Sequence, residues 1–288
     1  MNPVFFTLVL GTATPGGGFP VYGDAYAEML NVQEPRLRIE TRNTKGSTEN
    51  VPLLEAGKLD LGLVAGELAS AALARPGTQL RIVAAMYSSP GMFVVQAHSP
   101  VRRIADLKGK PVVLGTQGSG ITVLGRIVLH FLEIPVEEIL LEKAADGPPM
   151  LQDARAAALW GAGVGWPAFA AIAKTGGRLV GPDAEEVRRI LAKNPSLQAV
   201  TLPARSYPGQ DAPVQSVGSW SFVFARPGLP EEQAYLLARA LHRAEGSFAA
   251  RLDQAKESAV ANIVAASPRA DLVHPGVQKY LREAGLLR

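Results

Sequence analysis

The sequence predicts an α/β protein of two lobes, and three observations carry that prediction. Strand-like and helix-like segments alternate, the pattern of largely parallel sheets covered by helices. In each half, a glycine-rich turn closes an apolar run and opens a helix. Gly11-Thr12-Ala13-Thr14-Pro15-Gly16-Gly17-Gly18 follows the run 5–10, and Gly115-Thr116-Gln117-Gly118-Ser119-Gly120 follows the run 111–114. A chain of 288 residues exceeds what one small core needs and suits two.

The elements follow in order. The apolar run 4–10 lacks a basic leader and a cleavage site and leads straight into Gly11, so it reads as the first strand and not as a signal peptide. Tyr22, Tyr26, Met29 and Leu30 recur at helical spacing behind the first turn. Residues 36–40 alternate as a strand. Thr44-Lys45-Gly46-Ser47-Thr48-Glu49-Asn50 is a third polar turn before a helix, with Ser47 or Thr48 as its cap. Residues 58–64 and 80–87 read as buried strands, and 92–97 as a strand making the first crossing between lobes. The second lobe opens near Ser99 with a helical turn at 104–110. From Ser119 on, Leu124, Ile127, Val128, Phe131 and Leu132 mark an amphipathic helix whose stripe packs a core. Strands are expected at 139–142, 157–160 and 178–180, and helices from Pro167 and at 184–192. Residues 206–213 are turn-rich, and the alternating run 214–225 crosses back. The tail reads as helical over 231–246, 247–265 and 276–284. Lobe I is thus 1–97 with 214–288, and lobe II is 98–213.

Composition excludes several classes. The net charge is +3, but no basic run exceeds Arg102-Arg103 or Arg188-Arg189, so no nucleic-acid partner is expected. There is no cysteine, which removes disulfides, thiolate metal sites and thiol nucleophiles. His98, His130, His242 and His274 are scattered and form no His-Glu-x-x-His pattern, so neither a metal nor another cofactor is expected. No apolar stretch reaches the length of a membrane span.

The glycine turns carry the chemistry. A strand that ends in glycines and hydroxyls and turns into a helix presents backbone N–H groups and the positive end of the helix dipole, a ready site for an anion. No Gly-Lys-Ser/Thr follows either turn, so neither is a P-loop. Gly118-Ser119-Gly120 approaches a nucleophile elbow, but Gln117 and Ile121 stand where that motif needs glycine. Residues 158–166 approach a dinucleotide fingerprint, with Asp183 about twenty residues on. Trp166 in the third glycine position, Pro167 behind it and the weak strand propensity of 156–160 argue against that reading. The same residues fit a ligand-facing turn in which Trp166 supplies an apolar wall.

In this order the motifs resemble the solute-binding subunit of the TAXI-type tripartite ATP-independent periplasmic (TRAP) transporters. The resemblance rests on Gly16-Gly17-Gly18-Phe19-Pro20-Val21-Tyr22-Gly23 and on Gly46-Ser47-Thr48-Glu49-Asn50 with Glu55-Ala56-Gly57-Lys58-Leu59-Asp60. It continues through Asp106-Leu107-Lys108-Gly109-Lys110 and Gly118-Ser119-Gly120. Tyr207-Pro208-Gly209-Gln210-Asp211 and the terminal His274-Pro275-Gly276 with Tyr280 are its most specific parts. It implies a two-lobed type II periplasmic-binding-protein fold with a central ligand cleft and crossing hinge strands. It also implies a periplasmic protein without catalytic residues, metal or cofactor, its signal peptide removed. Such a protein is a monomer that closes on a small carboxylate solute, an amino acid or dicarboxylate, and delivers it to the membrane permease subunits. Carried over residue by residue, Thr14, Phe19 and Tyr22 line the first turn, and Ser47 and Thr48 face the cleft from the second. Tyr87 stands at the end of a central strand. Ser119, Gly120, Ile121 and Thr122 present hydroxyl and N–H groups from the other lobe, and Gly165 and Trp166 close the wall.

The chain departs from the family pattern at Lys45, at Ala65-Gly66-Glu67, along 156–160 and at Ile121. These changes flank the presumed cleft on both sides and point to a more apolar pocket. The alternative is a cytoplasmic biosynthetic enzyme on the same two-lobed fold, acting on a small organic acid. No acid–base pair in the sequence supports it.

Overall fold

The computed structural model describes residues 5–194 and 196–287. Val4, the first residue of the run read as the opening strand, lies outside them. The chain divides into two compact units. Unit 1 holds Met1–Ala13, Phe19–Tyr87 and Trp220–Arg288, and unit 2 holds Thr14–Gly18 and Ser88–Ser219.

Unit 1 begins with β1 (Phe6–Gly11), α1 (Gly18–Gln33), β2 (Leu37–Arg42), α2 (Ser47–Glu55), β3 (Leu61–Val64), α3 (Gly66–Ala74) and β4 (Arg81–Ser88). Unit 2 follows with β5 (Gly91–Val95), β6 (Pro111–Thr116), α4 (Gly120–Leu132), β7 (Glu137–Leu141), α5 (Gly147–Gln152) and β8 (Ala158–Ala162). It continues through α6 (Pro167–Lys174), β9 (Arg178–Val180), α7 (Ala184–Lys193), β10 (Gln198–Leu202) and β11 (Val214–Gly218). The chain returns to unit 1 with β12 (Trp220–Ala225), α8 (Glu231–Arg251), α9 (Asn262–Ala266) and α10 (Pro275–Glu283).

The sheet of unit 1 has the order β2-β1-β3-β12-β4. β1 runs parallel to β2 and β3, and β12 runs antiparallel to β3. All four residues of β3 are buried, as expected of a strand covered on both faces. Helix α2 lies close on it, since a Cβ at Gly62 would stand 3.0 Å from Leu54 Cδ1. Below the sheet, Tyr22, Tyr26, Tyr87 and Phe248 form an aromatic cluster with centroids 5.3–6.2 Å apart.

The sheet of unit 2 has the order β7-β6-β8-β5-β9, and β10 and β11 form a separate antiparallel ribbon. β6 is parallel to β7 and β8, and β5 is antiparallel to β8 and β9. Successive residues of β6 serve opposite cores, Val112 and Leu114 one and Val113 the other, the two-residue period of a strand. The stripe expected on α4 is observed: Leu124, Val128 and Leu132 are buried, each stabilising by roughly 1.5–3 kcal/mol.

Three segments fall in the other unit from the one the sequence suggested. β5 pairs with β8 and β9, so it belongs to unit 2 and is not a crossing strand. The run 214–225 divides at Ser219: β11 pairs with β10 and β12 with β3. Thr14–Gly18 groups with unit 2, where a Cβ at Gly16 (φ +83) would lie 2.7 Å from Ala145. The helix expected over 247–265 is also broken. α8 ends at Arg251, and Leu252 takes an extended backbone before a 3₁₀ turn at Asp253–Glu257. Ser258 then anchors the chain, donating to Met86 O at 2.5 Å and bonding the Tyr22 hydroxyl at 2.9 Å.

His274 fastens α10 to the rest of unit 1. Its Nε2 donates to Leu229 O (2.9 Å), its Nδ1 accepts from Gly276 N (3.2 Å) as the helix cap, and its own N–H donates to Ile82 O (2.9 Å). Burial holds the imidazole pKa below its usual value, against the pull of the Leu229 carbonyl and the Glu231 charge. Protonation would leave Nδ1–H facing the Gly276 N–H. A depressed folded pKa means that the unfolded chain binds the proton first. Stability is therefore full above about pH 6.5 and falls as pH drops through the folded value. Urea unfolding between pH 7.5 and 5 should show a falling midpoint, and His274→Gln should flatten that dependence.

Candidate functional site

In open α/β sheets, ligands bind outside the carboxyl ends of the strands. Each unit has such an edge, built by its own side chains.

In unit 1 the edge is organised by Asn50, wholly buried on α2. Its amide hydrogens are shared among Thr12 O (2.8 Å), Leu63 O (2.8 Å) and Gly11 O (3.3 Å). Its Oδ1 accepts from Thr44 Oγ1 at 2.8 Å. One carboxamide thus ties together the ends of β1 and β3 and the loop after β2. A Cβ at Gly11 would lie 2.7 Å from Asn50 Oδ1, which explains the glycine there. Gly46 precedes α2 with φ 102 and ψ −157, a conformation open essentially to glycine alone. Thr44 Oγ1 accepts its N–H at 3.1 Å.

Several hydroxyls expected to face a ligand are engaged by unit 1 itself. Ser47 Oγ, buried, accepts from Ala65 N at 3.0 Å. Tyr22 is fully buried with its hydroxyl bonded to Ser258, and burial pushes its phenol pKa up. Phe19 is buried in the same core, and Tyr87 packs edge-on to Tyr22 at 5.3 Å. Thr48 and Lys45 are exposed, and the Lys45 N–H is held by the Glu49 carboxylate at 2.5 Å.

In unit 2, Ser119 caps α4, its Oγ accepting from Ile121 N at 3.3 Å. The first turn of a helix leaves its N–H groups without intrahelical acceptors, and this one starts at Gly120, without a side chain in the way. Ser119 and Ile121 are half-buried. Thr122 differs from its expected role: it is buried, and Oγ1 donates to Leu114 O (3.0 Å) and Thr116 O (2.9 Å). It locks the β6–α4 turn from inside. Trp160 Nε1 donates to Ile121 O at 2.8 Å, fixing the same helix start to β8.

The neighbouring strand β8 is followed by Gly163 (φ 85) and Gly165 (φ 69), then by buried Trp166 at the N-cap of α6. Tyr207, from the turn-rich segment, holds this loop: its hydroxyl donates to Gly163 O (2.8 Å) and accepts from Trp166 N (2.9 Å). Burial raises the Tyr207 phenol pKa. Thr14 is half-buried, and its carbonyl accepts from Gly17 N at 3.3 Å. Asn50, Thr44 and Tyr207 stood in motifs the sequence reading quoted, but it gave them no place in the site; they hold its loops. An asparagine amid the apolar positions Val51, Leu53 and Leu54 was the available signal for the first.

At the opposite end of α4, about 20 Å from its cap, a groove of about 730 Å³ is lined by Arg126, His130, Phe131, Pro135 and Glu138. Among the described residues, no group of three or more His, Asp or Glu is placed to hold a metal ion. None of their helices is long and apolar enough to cross a membrane.

Solved structures share this architecture. MatC from Rhodopseudomonas palustris, solved with bound malate, aligns with TM-score 0.63 at 15% identity over 98% of this chain and 99% of its own. The periplasmic aliphatic sulphonate binding protein SsuA from Escherichia coli aligns with TM-score 0.54 at 18% identity, covering 96% of this chain and 82% of that one. The effector binding domain of QuiR, solved with shikimate, gives 0.53 at 10% identity, over 86% and 96%. The fold is that of the two-lobed periplasmic binding proteins. Within it, the chain belongs to the NMT1-like family, whose model matches residues 10–285.

Removing the Asn50 amide takes a donor from three buried carbonyls and an acceptor from Thr44 Oγ1, although Thr12 O keeps its bond from Thr44. Asn50→Ala should lower unfolding free energy by about 3 kcal/mol, as expected for buried polar groups left unpaired. Asn50→Asp should cost more, because it turns carboxylate oxygens toward the same carbonyls. Urea denaturation of both variants checks the order.

Proposed function

We propose that this chain is the solute-binding protein of a TAXI-type TRAP transporter. In this reading it binds a small carboxylate, an amino acid or dicarboxylate, in the periplasm as a monomer and hands it to the membrane permease subunits. It is a carrier and not a catalyst. The observation that carries the reading is the Ser119-capped start of α4, set at the carboxyl edge of its sheet beside the glycine loop before Trp166. Family membership and the order of the sequence motifs over nearly the whole chain support it. The clamp, in which unit 1 and unit 2 act as lobes I and II in place of the bounds read from the sequence, is part of the proposal.

Magnitudes limit what the helix start can do alone. A helix terminus favours an anion by roughly 0.3–1 kcal/mol, whereas micromolar affinity needs about 8 kcal/mol. Charge-assisted hydrogen bonds from the Ser119 hydroxyl and the Gly120 N–H, and burial of the solute body against Ile121, supply the rest.

A thermal-shift panel of L-glutamate, succinate, L-malate and benzoate tests the reading. A bound acid at 100 times its dissociation constant stabilises by about 2.7 kcal/mol, and no shift with any acid would overturn it. Ser119→Asp tests the site. Aspartate caps helices as well as serine, so the fold is kept while a negative charge enters the anion position. Calorimetry should show at least about a tenfold loss of affinity, the effect of one lost charge-assisted bond. Unchanged affinity would remove α4 from the site.

A further inference from the structure

The indole of Trp166 is buried and held by several contacts within unit 2. Its benzo edge lies directly over Gly161, where a Cβ would stand 1.8 Å from Cζ3 and 2.1 Å from Cε3. Its rings pack on Phe169 at 4.8 Å, tilted by 60°. Its backbone N–H is held by Tyr207. Nε1 lies on the opposite edge of the bicycle from Cε3 and Cζ3. It is buried, and among the described residues it has no acceptor, although the residue is only 4% exposed.

Buried tryptophans ordinarily find a partner for this group, and a buried donor left unpaired is costly. The contrast within β8 and its loop is direct, since Trp160 Nε1, also buried, donates to Ile121 O at 2.8 Å. The orphaned donor also follows Gly163 and Gly165, two positive-φ glycines at the carboxyl end of β8. β8 is hydrogen-bonded in parallel to β6, with Val113 opposite Leu159. The loop bearing Trp166 and the α4 start therefore leave the same edge of one sheet from adjacent strands, which run about 4.8 Å apart.

We propose that Trp166 Nε1–H is a solute-binding donor, which reads an acceptor oxygen on the ligand. This rests on the function proposed above and deepens it. Trp166 is then more than an apolar wall: it favours acids bearing a second oxygen acceptor over acids with a purely apolar tail. The rigid seat on Gly161 and the Tyr207 strut fix the direction in which the N–H points before the solute arrives.

The probes are succinate and butyrate, equal in carbon number and differing in the second carboxylate. The variant is Trp166→Phe, which keeps an aromatic ring and removes the N–H. Calorimetry should show that wild type prefers succinate. The variant should lose about tenfold in succinate affinity, one hydrogen bond's worth, and its preference for succinate over butyrate should fall with it. Equal succinate affinity in a folded variant overturns the Trp166 role while leaving the carboxylate-binding reading intact. If wild type binds neither acid, the Trp166 role falls, and the carboxylate reading then stands or falls on the L-glutamate, L-malate and benzoate arms of the thermal-shift panel. Where the variant fails to fold, the ¹⁵N–¹H indole spectrum of wild type decides. Succinate should shift one indole proton downfield, and three unmoved indole signals under saturating succinate overturn the proposal.

Discussion

One buried carboxamide determines the shape of an entire sheet edge. Asn50 bonds the carbonyls at the ends of β1 and β3 and the hydroxyl of Thr44 after β2. Those segments are sequentially remote, and the carboxamide adds to the backbone pairing of β1 with β2 and β3 a bond to the Thr44 side chain. A side chain with two donors and one acceptor on a planar frame meets this need. The glycines at Gly11 and Gly62 exist because α2 must come close enough for the amide to reach. Helix position, glycine placement and loop geometry are therefore consequences of satisfying one polar group inside an apolar core.

Unit 2 solves the same problem with different groups. Thr122 bonds the two carbonyls of its own turn, Trp160 fastens the helix start to the next strand, and Tyr207 spans the loop after it. All of these bonds close inside the unit. The α4 start and the indole of Trp166 are what this accounting leaves over. Preorganised donors cost less to bind through than flexible ones, so the rigidity of the loops bears on affinity as well as on stability.

Much of this was legible in the sequence. β9 and the starts of α6 and α7 fall at the expected residues 178, 167 and 184, because the signals there are local. α3 escaped notice because Gly-Glu-Leu-Ala-Ser-Ala-Ala-Leu-Ala has small residues on every face and so little stripe. The run 214–225 looked like one strand. Its break at Ser219 follows from a non-local crowding, a Cβ at Gly218 standing 2.2 Å from Ser89 O. The same division applies to the site. Residue types suited to an anion were visible, but which hydroxyls the protein uses itself was not. The partner of Tyr22 lies 236 positions away and that of Ser47 lies 18 away, and no spacing rule reports such pairs.

The contact between Trp166 and Gly161 also has a consequence for descent. A ring resting on a bare backbone makes two positions one unit of inheritance. No side chain at 161 can be gained while the indole stays, and loss of the indole opens a void that a larger residue at 161 would then fill. Homologous chains should therefore change these positions together, and a lineage that exchanged the pair would acquire a differently lined edge in a single coupled step.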